Sequence, residues 1–301
     1  THVWHIDREV STAFAKQYGL GTVASSFDGM VGKVDALIID TVMQTPWVYK
    51  LAEPYLAAGI PVFSDRPGSD AVWKTKRLIE LAKKYDTPFW SGSSLERMYQ
   101  CLQAREHHPP ETITGYETWS EGTPFYCHGL HGMWWTHKIT GGGIRAVSQK
   151  MDDWTKNGGV STVIHKDRGK GEYTGTIHHT KRENCLIWTK FAGSDQVYRY
   201  DTGHWETFVY LPLLLTVQDI FWYGMEKLPE TYDSFLEKSR FYIAAFRSHL
   251  REKGGMVELE RLDEDWSIGC PWGHPSMSSR AIYDAYTKLL GPEKGEIRPP
   301  A

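Results

Sequence analysis

Two runs restrict what this chain can become more than any other stretch: Val34-Asp35-Ala36-Leu37-Ile38-Ile39-Asp40-Thr41 and Gly59-Ile60-Pro61-Val62-Phe63-Ser64-Asp65-Arg66-Pro67. Each holds a short apolar, β-rich core followed by an acid, the pattern of a strand buried on both faces. Between them Leu51, Ala52, Tyr55 and Leu56 recur on one side of a helix that Gly59 stops. Strand, helix and parallel strand make a right-handed βαβ unit. Ligands of such sheets bind beyond the carboxyl ends of the strands, so Asp40-Thr41 and Asp65-Arg66-Pro67 are predicted to face one crevice.

The alternation extends to both sides. Residues 2–7 read as a strand ending in Asp7, and residues 8–18 as a helix with Val10, Ala13 and Phe14 inward and Gly19 as its stop. Asp7 has two readings. In a dinucleotide fold the acid at the end of the second strand binds the adenosine ribose, and an acid ahead of a helix is also an N-cap. Helices are predicted over 70–84 and 95–104, with a strand over 87–90. Residues 2–6, 37–39 and 61–63 are expected in one parallel sheet.

The βα alternation ends at a polar, proline-containing link near 107–111. This divides the chain into a Rossmann-like dinucleotide-binding domain over 1–108, incomplete at its start, and an α+β substrate and oligomerisation domain over 109–301. Alternating strands over 143–148, 160–166, 172–180 and 184–191 imply a largely antiparallel, open-faced sheet. Ile177, Leu186 and Trp188 suggest that its outer face pairs with a second copy, making a homo-oligomer. Two helices follow over 208–225 and 231–250, and the proline- and charge-rich residues 291–301 are expected to be loosely held.

Composition enters as a set of exclusions. A formal charge of −3 on 301 residues argues against a nucleic-acid partner and against an anionic membrane. No apolar run approaches the roughly 18 residues that cross a bilayer. The four cysteines form no CxxC pair, which suits reduced thiols and a cytoplasmic location. Thr1 falls within a strand-like run, so residues are expected upstream of it, where a signal peptide would lie outside this reading.

The densest chemistry is Tyr126-Cys127-His128-Gly129-Leu130-His131-Gly132. Histidine exchanges protons near neutral pH, although with thirteen histidines some clusters arise by chance and a structural role is the usual one. His128 and His131 are three apart, but no third ligand is identifiable, so no metal is expected. His178 and His179 point to opposite faces of a strand. Thr140-Gly141-Gly142-Gly143 does not follow a strand and open a helix, so it reads as a helix-to-strand turn rather than a phosphate cradle. Trp134, Trp135, Trp266 and Trp272 could stack on sugar faces, with core packing as the ordinary role.

In their order, these motifs resemble the Gfo/Idh/MocA oxidoreductases, the family of glucose–fructose oxidoreductase and inositol dehydrogenase. The Asp35-Ala36-Leu37 strand and Asp65-Arg66-Pro67 match its Asp-Ala-Val strand and Glu-Lys-Pro turn. Gly129-Leu130-His131 matches its Gly-x-His, and Gly254-Gly255-Met256-Val257-Glu258-Leu259 its late turn and strand. The resemblance implies an NAD(P)-dependent oxidoreductase acting on a sugar, cyclitol or related polyol. His131 would be the acid/base, Arg66 would hold the reacting oxygen, and Tyr126 and His128 would line the substrate pocket. Asp7, Asp40, Thr41 and Asp65 would bind the cofactor, with Asp7 on the adenosine ribose favouring NAD over NADP.

The sequence also departs from that pattern. The glycine-rich first βα unit is not within it, and arginine, which stays protonated, replaces lysine at position 66. Cys127 stands where an acid is common, and Val42 follows Thr41 where proline and histidine are usual. Two alternatives therefore stay open: a catalytically silent relative that binds a sugar or NAD, and a redox-neutral hydrolase or lyase that uses NAD.

Overall fold

The structure, a computed structural model, describes residues 1–40, 45–121, 125–152, 158–180, 186–201, 209–270 and 279–298. The chain opens with β1 (His2–Val3), α1 (Arg8–Tyr18) and β2 (Thr22–Val23). It continues through β3 (Leu37–Ile39), α2 (Val48–Ala57), β4 (Val62–Asp65), α3 (Val72–Tyr85) and β5 (Phe89–Gly92). Then come α4 (Tyr99–His107), β6 (Tyr116–Glu121), α5 (Leu130–Thr140), β7 (Ile144–Met151), β8 (Gly159–His165) and β9 (Tyr173–Thr180). The last elements are β10 (Leu186–Phe191), β11 (Val197–Asp201), α6 (Leu211–Tyr223), α7 (Tyr232–Leu250), β12 (Val257–Glu258) and α8 (Arg280–Leu290). By compactness the chain forms two units, residues 1–91, 217–229 and 269–301, and residues 92–216 and 230–268.

The first unit carries the parallel strands. β3 pairs with β4 in parallel, with Leu37 opposite Val62 and Ile39 opposite Ser64, and β5 follows β4 in the same sheet. β1 pairs in parallel with β2. The single sheet expected over residues 2–6, 37–39 and 61–63 is therefore not formed: β1 and β2 stand apart from β3, β4 and β5 among the described residues.

The helix over 8–18 has its expected bounds, with Asp7 accepting the Glu9 N–H at 2.9 Å and Gly19 ending it at a φ of 63°. Its expected inward face is corrected. Ser11 and Ala15 are buried, while Val10 and Phe14 are 46% and 48% exposed. The helix over 95–104 is also corrected. A 3₁₀ turn (Ser94–Arg97) comes first, and α4 starts only after Met98, whose extended backbone separates the two.

The expectation of a loose tail fails as far as Arg298. Trp47 Nε1 donates to the Gly291 carbonyl at 2.9 Å, and the Glu293 carboxylate pairs with Lys50 at 2.6 Å and with buried Lys74 at 2.9 Å. Lys74 also donates to Asp70 and to the Pro46 carbonyl, and Asp70 in turn accepts the Gly269 N–H. These bonds, together with the Cys270 N–H donating to the Ile297 carbonyl, fasten the tail to the unit.

The second unit holds a seven-stranded sheet in the order β11-β10-β6-β9-β8-β7-β12, antiparallel in every pair except β6 with β9. α5 and α7 cover one face. Gly132 lets α5 lie close, because a Cβ there would come within 2.5 Å of the Ser120 Cβ. The α/β class with a parallel sheet followed by a largely antiparallel one is the class expected. Among the described residues, no helix is long and apolar enough to cross a membrane.

Candidate active site

In the first unit, the carboxyl ends of β3 and β4 bring together Asp40, Asp65 and Arg66. Both Asp65 oxygens accept from Arg66 Nη1, at 2.7 and 2.8 Å, and Arg66 is half-buried. Partial desolvation of the Asp40 carboxyl, on a residue that keeps exposed surface, and the charge of Asp65 raise its pKa above the ordinary carboxylate value, with Arg66 opposing. The three therefore share one electrostatic neighbourhood, as adjacent parallel strands require of the residues at their ends. Asp7 lies in the same unit, exposed, with Oδ1 engaged in capping α1, so the N-cap reading holds in the geometry. Thr41 lies outside the described residues.

In the second unit, the chain passes through a π-helical turn (Phe125–Gly129) into α5, which places His131 in the first turn of that helix. His131 is 5% exposed, and its Nδ1 lies 2.6 Å from Ser93 Oγ. That bond fixes the ring whichever atom carries the proton. His128 is half-buried, its ring centroid 6.0 Å from that of His131. Tyr126 is fully buried against Tyr242 and Phe246, and its carbonyl accepts from Tyr242 Oη at 2.7 Å.

Behind His131 lies a charged group absent from the sequence reading. Ser93 heads a capping box: its Oγ accepts the Leu95 N–H, and its own N–H donates to Glu96 Oε2 at 2.8 Å. Glu96 Oε1 accepts from Lys238 Nζ at 3.0 Å, and Lys238 also donates to Glu230. Lys238 has no exposed surface, and its ammonium lies 4.5 Å over the Trp134 ring. Burial opposes that charge, but the Glu230 and Glu96 carboxylates outweigh it and hold the Lys238 pKa above its ordinary value. Burial raises the Glu96 pKa against the pull of Lys238.

The signals for this network were present in the sequence. Ser93-x-x-Glu96 is a capping-box pattern. Lys238 falls three residues after Phe235 and three before Phe241, on the apolar face of a helix.

His178 stacks on Trp119, while His179 turns to the other face and lies 2.8 Å from Ser161 Oγ. Gly141, Gly142 and Gly143 form the turn from α5 into β7, all at positive φ. Trp134, Trp135 and Trp266 are buried, and Trp272 lies outside the described residues. No three His, Cys, Asp or Glu side chains among the described residues are grouped to hold a metal ion.

No protein-family profile matches this sequence, and no curated protein does. Solved structures do match. A probable dehydrogenase from Thermotoga maritima superposes with a TM-score of 0.70 over 87% of this chain and 92% of its own, at 16% identity. GenD2 from gentamicin A biosynthesis, in complex with NAD, gives 0.69 over 85% and 88%, at 15% identity. Scyllo-inositol dehydrogenase from Lactobacillus casei, with bound NAD(H) and scyllo-inositol, gives 0.67 over 86% and 91%, at 14% identity.

This chain has the fold of these dehydrogenases. The resemblance read from the motifs thus holds at the level of fold, at an identity too low for overall sequence similarity to reveal it.

Proposed function

We propose that this protein is a nicotinamide-dependent oxidoreductase acting on a sugar, cyclitol or related polyol. The observation that carries the reading is the grouping of Asp40, Asp65 and Arg66 at the ends of adjacent parallel strands, in a fold whose solved examples include proteins with NAD and an inositol bound. Ribose hydroxyls donate hydrogen bonds, and Asp7, Asp40 and Asp65 offer carboxylate acceptors, with Thr41 assigned to the cofactor from the motif alone. Asp7 favours NAD over NADP, because a carboxylate repels a 2′-phosphate. The bound nicotinamide would accept or return a hydride.

The proton is the protein's share of the work. Arg66 cannot accept it at neutral pH, but a guanidinium can hold the hydroxyl oxygen and its developing charge by hydrogen bonds. His131, its Nδ1 engaged by Ser93, takes the proton at Nε2 and returns it in the reverse direction. His128 and Tyr126 are assigned to the substrate side, Tyr126 by shaping the pocket wall from within the core. The substrate is a small molecule, and we assign the protein to the cytoplasm. A second copy would pair through the outer face of the seven-stranded sheet.

Screening sugars and polyols for a change in nicotinamide absorbance identifies the substrate. His131→Ala is expected to lower kcat about 10²–10⁴-fold with nicotinamide affinity unchanged, and Arg66→Lys to keep or raise turnover. Normal turnover by His131→Ala would overturn the assignment. One observation favours a second reading, a silent relative: Asp65 already holds the arginine that replaces lysine. Cofactor binding without turnover of any polyol by either the parent or Arg66→Lys would support it.

A further inference from the structure

Two arginines of the second unit meet at the turn that ends α5. Arg168, between β8 and β9, donates from Nη1 to the Thr140 carbonyl at 2.9 Å and from Nη2 to the Gly141 carbonyl at 3.1 Å. Arg105, in the last turn of α4, lies against the same glycine: a Cβ on Gly141 would stand 2.8 Å from its Nη2 and 3.0 Å from its Cζ. Tyr173, the first residue of β9, joins them. Its hydroxyl is within electrostatic reach of both guanidinium groups, and its ring stacks on His165 with centroids 4.4 Å apart.

This group has donors with nothing to donate to. Arg105 Nη1 and Tyr173 Oη are buried atoms without a hydrogen-bond partner, and Tyr173 is only 8% exposed. A buried donor left unpaired costs the folded state free energy, a charged one most of all. Burial and the adjacent Arg168 lower the Arg105 pKa, yet a guanidinium stays protonated, so its charge is held at a cost. Burial raises the Tyr173 hydroxyl to about 12 against the pull of the two arginines, so the phenol keeps its proton. The nearby acceptors are committed elsewhere. His165 is engaged at both nitrogens by Tyr116 Oη and the Gly142 carbonyl. Asp167 accepts the Gly169 and Gly171 N–H groups, Glu172 pairs with Arg145, and Glu237 lies beside His137. Among the described residues Glu111 is the one acid whose charge favours the Arg105 cation, and it makes no bond to the buried Nη1.

We propose that Arg105, Arg168 and Tyr173 form a binding site for a phosphoryl group. Three oxygens and close to two negative charges answer two guanidinium forks and one phenol together. A carboxylate brings a single charge against two cations, and a neutral ligand brings none. Arg168 spends two of its five N–H donors on the carbonyls of α5, which leaves three for the ligand. The site stands at the opposite end of α5 from His131, about 15 Å along the helix, so it is separate from the reaction proposed above.

The test compares the parent with Arg105→Gln and Tyr173→Phe, both confirmed as folded by circular dichroism. Calorimetric titration with inorganic phosphate at low ionic strength is expected to give one site, weakened about tenfold or more by Arg105→Gln and severalfold by Tyr173→Phe. A parallel titration with methyl phosphate assigns the group: tighter binding than phosphate points to an ester, weaker binding to the free ion. Melting temperatures give a signature that a structural role would not. In chloride, Arg105→Gln should melt no lower than the parent, because it removes an unpaired charge. In phosphate at matched ionic strength the parent should melt higher, because it alone gains from binding. The proposal is overturned if the parent binds neither phosphate nor methyl phosphate, if either variant binds as tightly as the parent, or if Arg105→Gln melts lower in chloride. Neither readout uses nicotinamide or a polyol, so a failed activity screen leaves this result standing.

Discussion

Lys238 carries an ammonium group into the core, and its partners define what losing it would cost. The Glu96 and Glu230 carboxylates take its hydrogen bonds, and the Trp134 ring covers it. Lys238→Met removes the cation and leaves two acids with no counter-charge in a place where water cannot compensate. The expected loss is about 3–5 kcal/mol, the range for breaking a buried pair from one side. Adding Glu96→Gln to that variant should recover part of it. Urea denaturation of the two variants checks the pair, and an unchanged midpoint for Lys238→Met would mean that the ammonium is not buried as described. Because Glu96 also holds the Ser93 N–H, and Ser93 holds His131, the same network fixes the imidazole. His131 itself was legible from a Gly-x-His pattern ahead of a helix. Its support was not, because a lysine on a helix reads as solvent-facing unless its apolar neighbours are counted.

At the scale of elements, bounds were legible wherever local chemistry sets them. Asp7 and Gly19 bracket α1, and glycines mark the turn from α5 to β7. Burial was less legible, because it depends on what an element packs against. The 3.6-residue pattern of α1 reports an apolar face but not what covers it, and Val10 and Phe14 are exposed. The seven-stranded sheet shows the same limit. Of the three residues that suggested pairing between copies, Ile177 is buried on the helix-covered side and the side chain of Leu186 lies outside the described residues. Trp188 does face outward, stacked at 3.6 Å on Trp119, which stacks in turn on His178. This cross-strand aromatic ladder is the feature through which a second copy would pack. Light scattering is expected to give a dimer or larger assembly for the parent and a smaller species for Trp188→Glu. A parent that stays monomeric at high concentration would remove the proposal.

For the whole molecule, the sharpest expectation is its response to acid, and it comes from two buried histidines. His165 lies between Tyr116 Oη, 3.0 Å from its Nε2, and the Gly142 carbonyl, 3.2 Å from its Nδ1, and burial is the main cause that lowers its pKa to about 4. His179 sits beneath the sheet beside Ser161, and burial, with His178 adding to it, lowers its pKa to about 3. Both folded values lie below the unfolded value of about 6.5, so both rings are neutral in the folded protein, while the unfolded chain takes up their protons first. Their contribution to stability is therefore complete above about pH 6.5 and is lost as pH falls toward about 4 and 3. With two protons in play the slope approaches about 2.7 kcal/mol per pH unit. Asp40 and Glu96, with raised pKa values, work in the opposite direction as acid is added, because the folded state protonates them first. The histidine share is isolated by difference: His179→Gln cannot titrate, so its stability should fall less steeply than the parent's between pH 6.5 and 4. Urea midpoints taken across that interval decide the matter, and parallel curves for parent and variant would show that His179 is not held neutral in the folded protein.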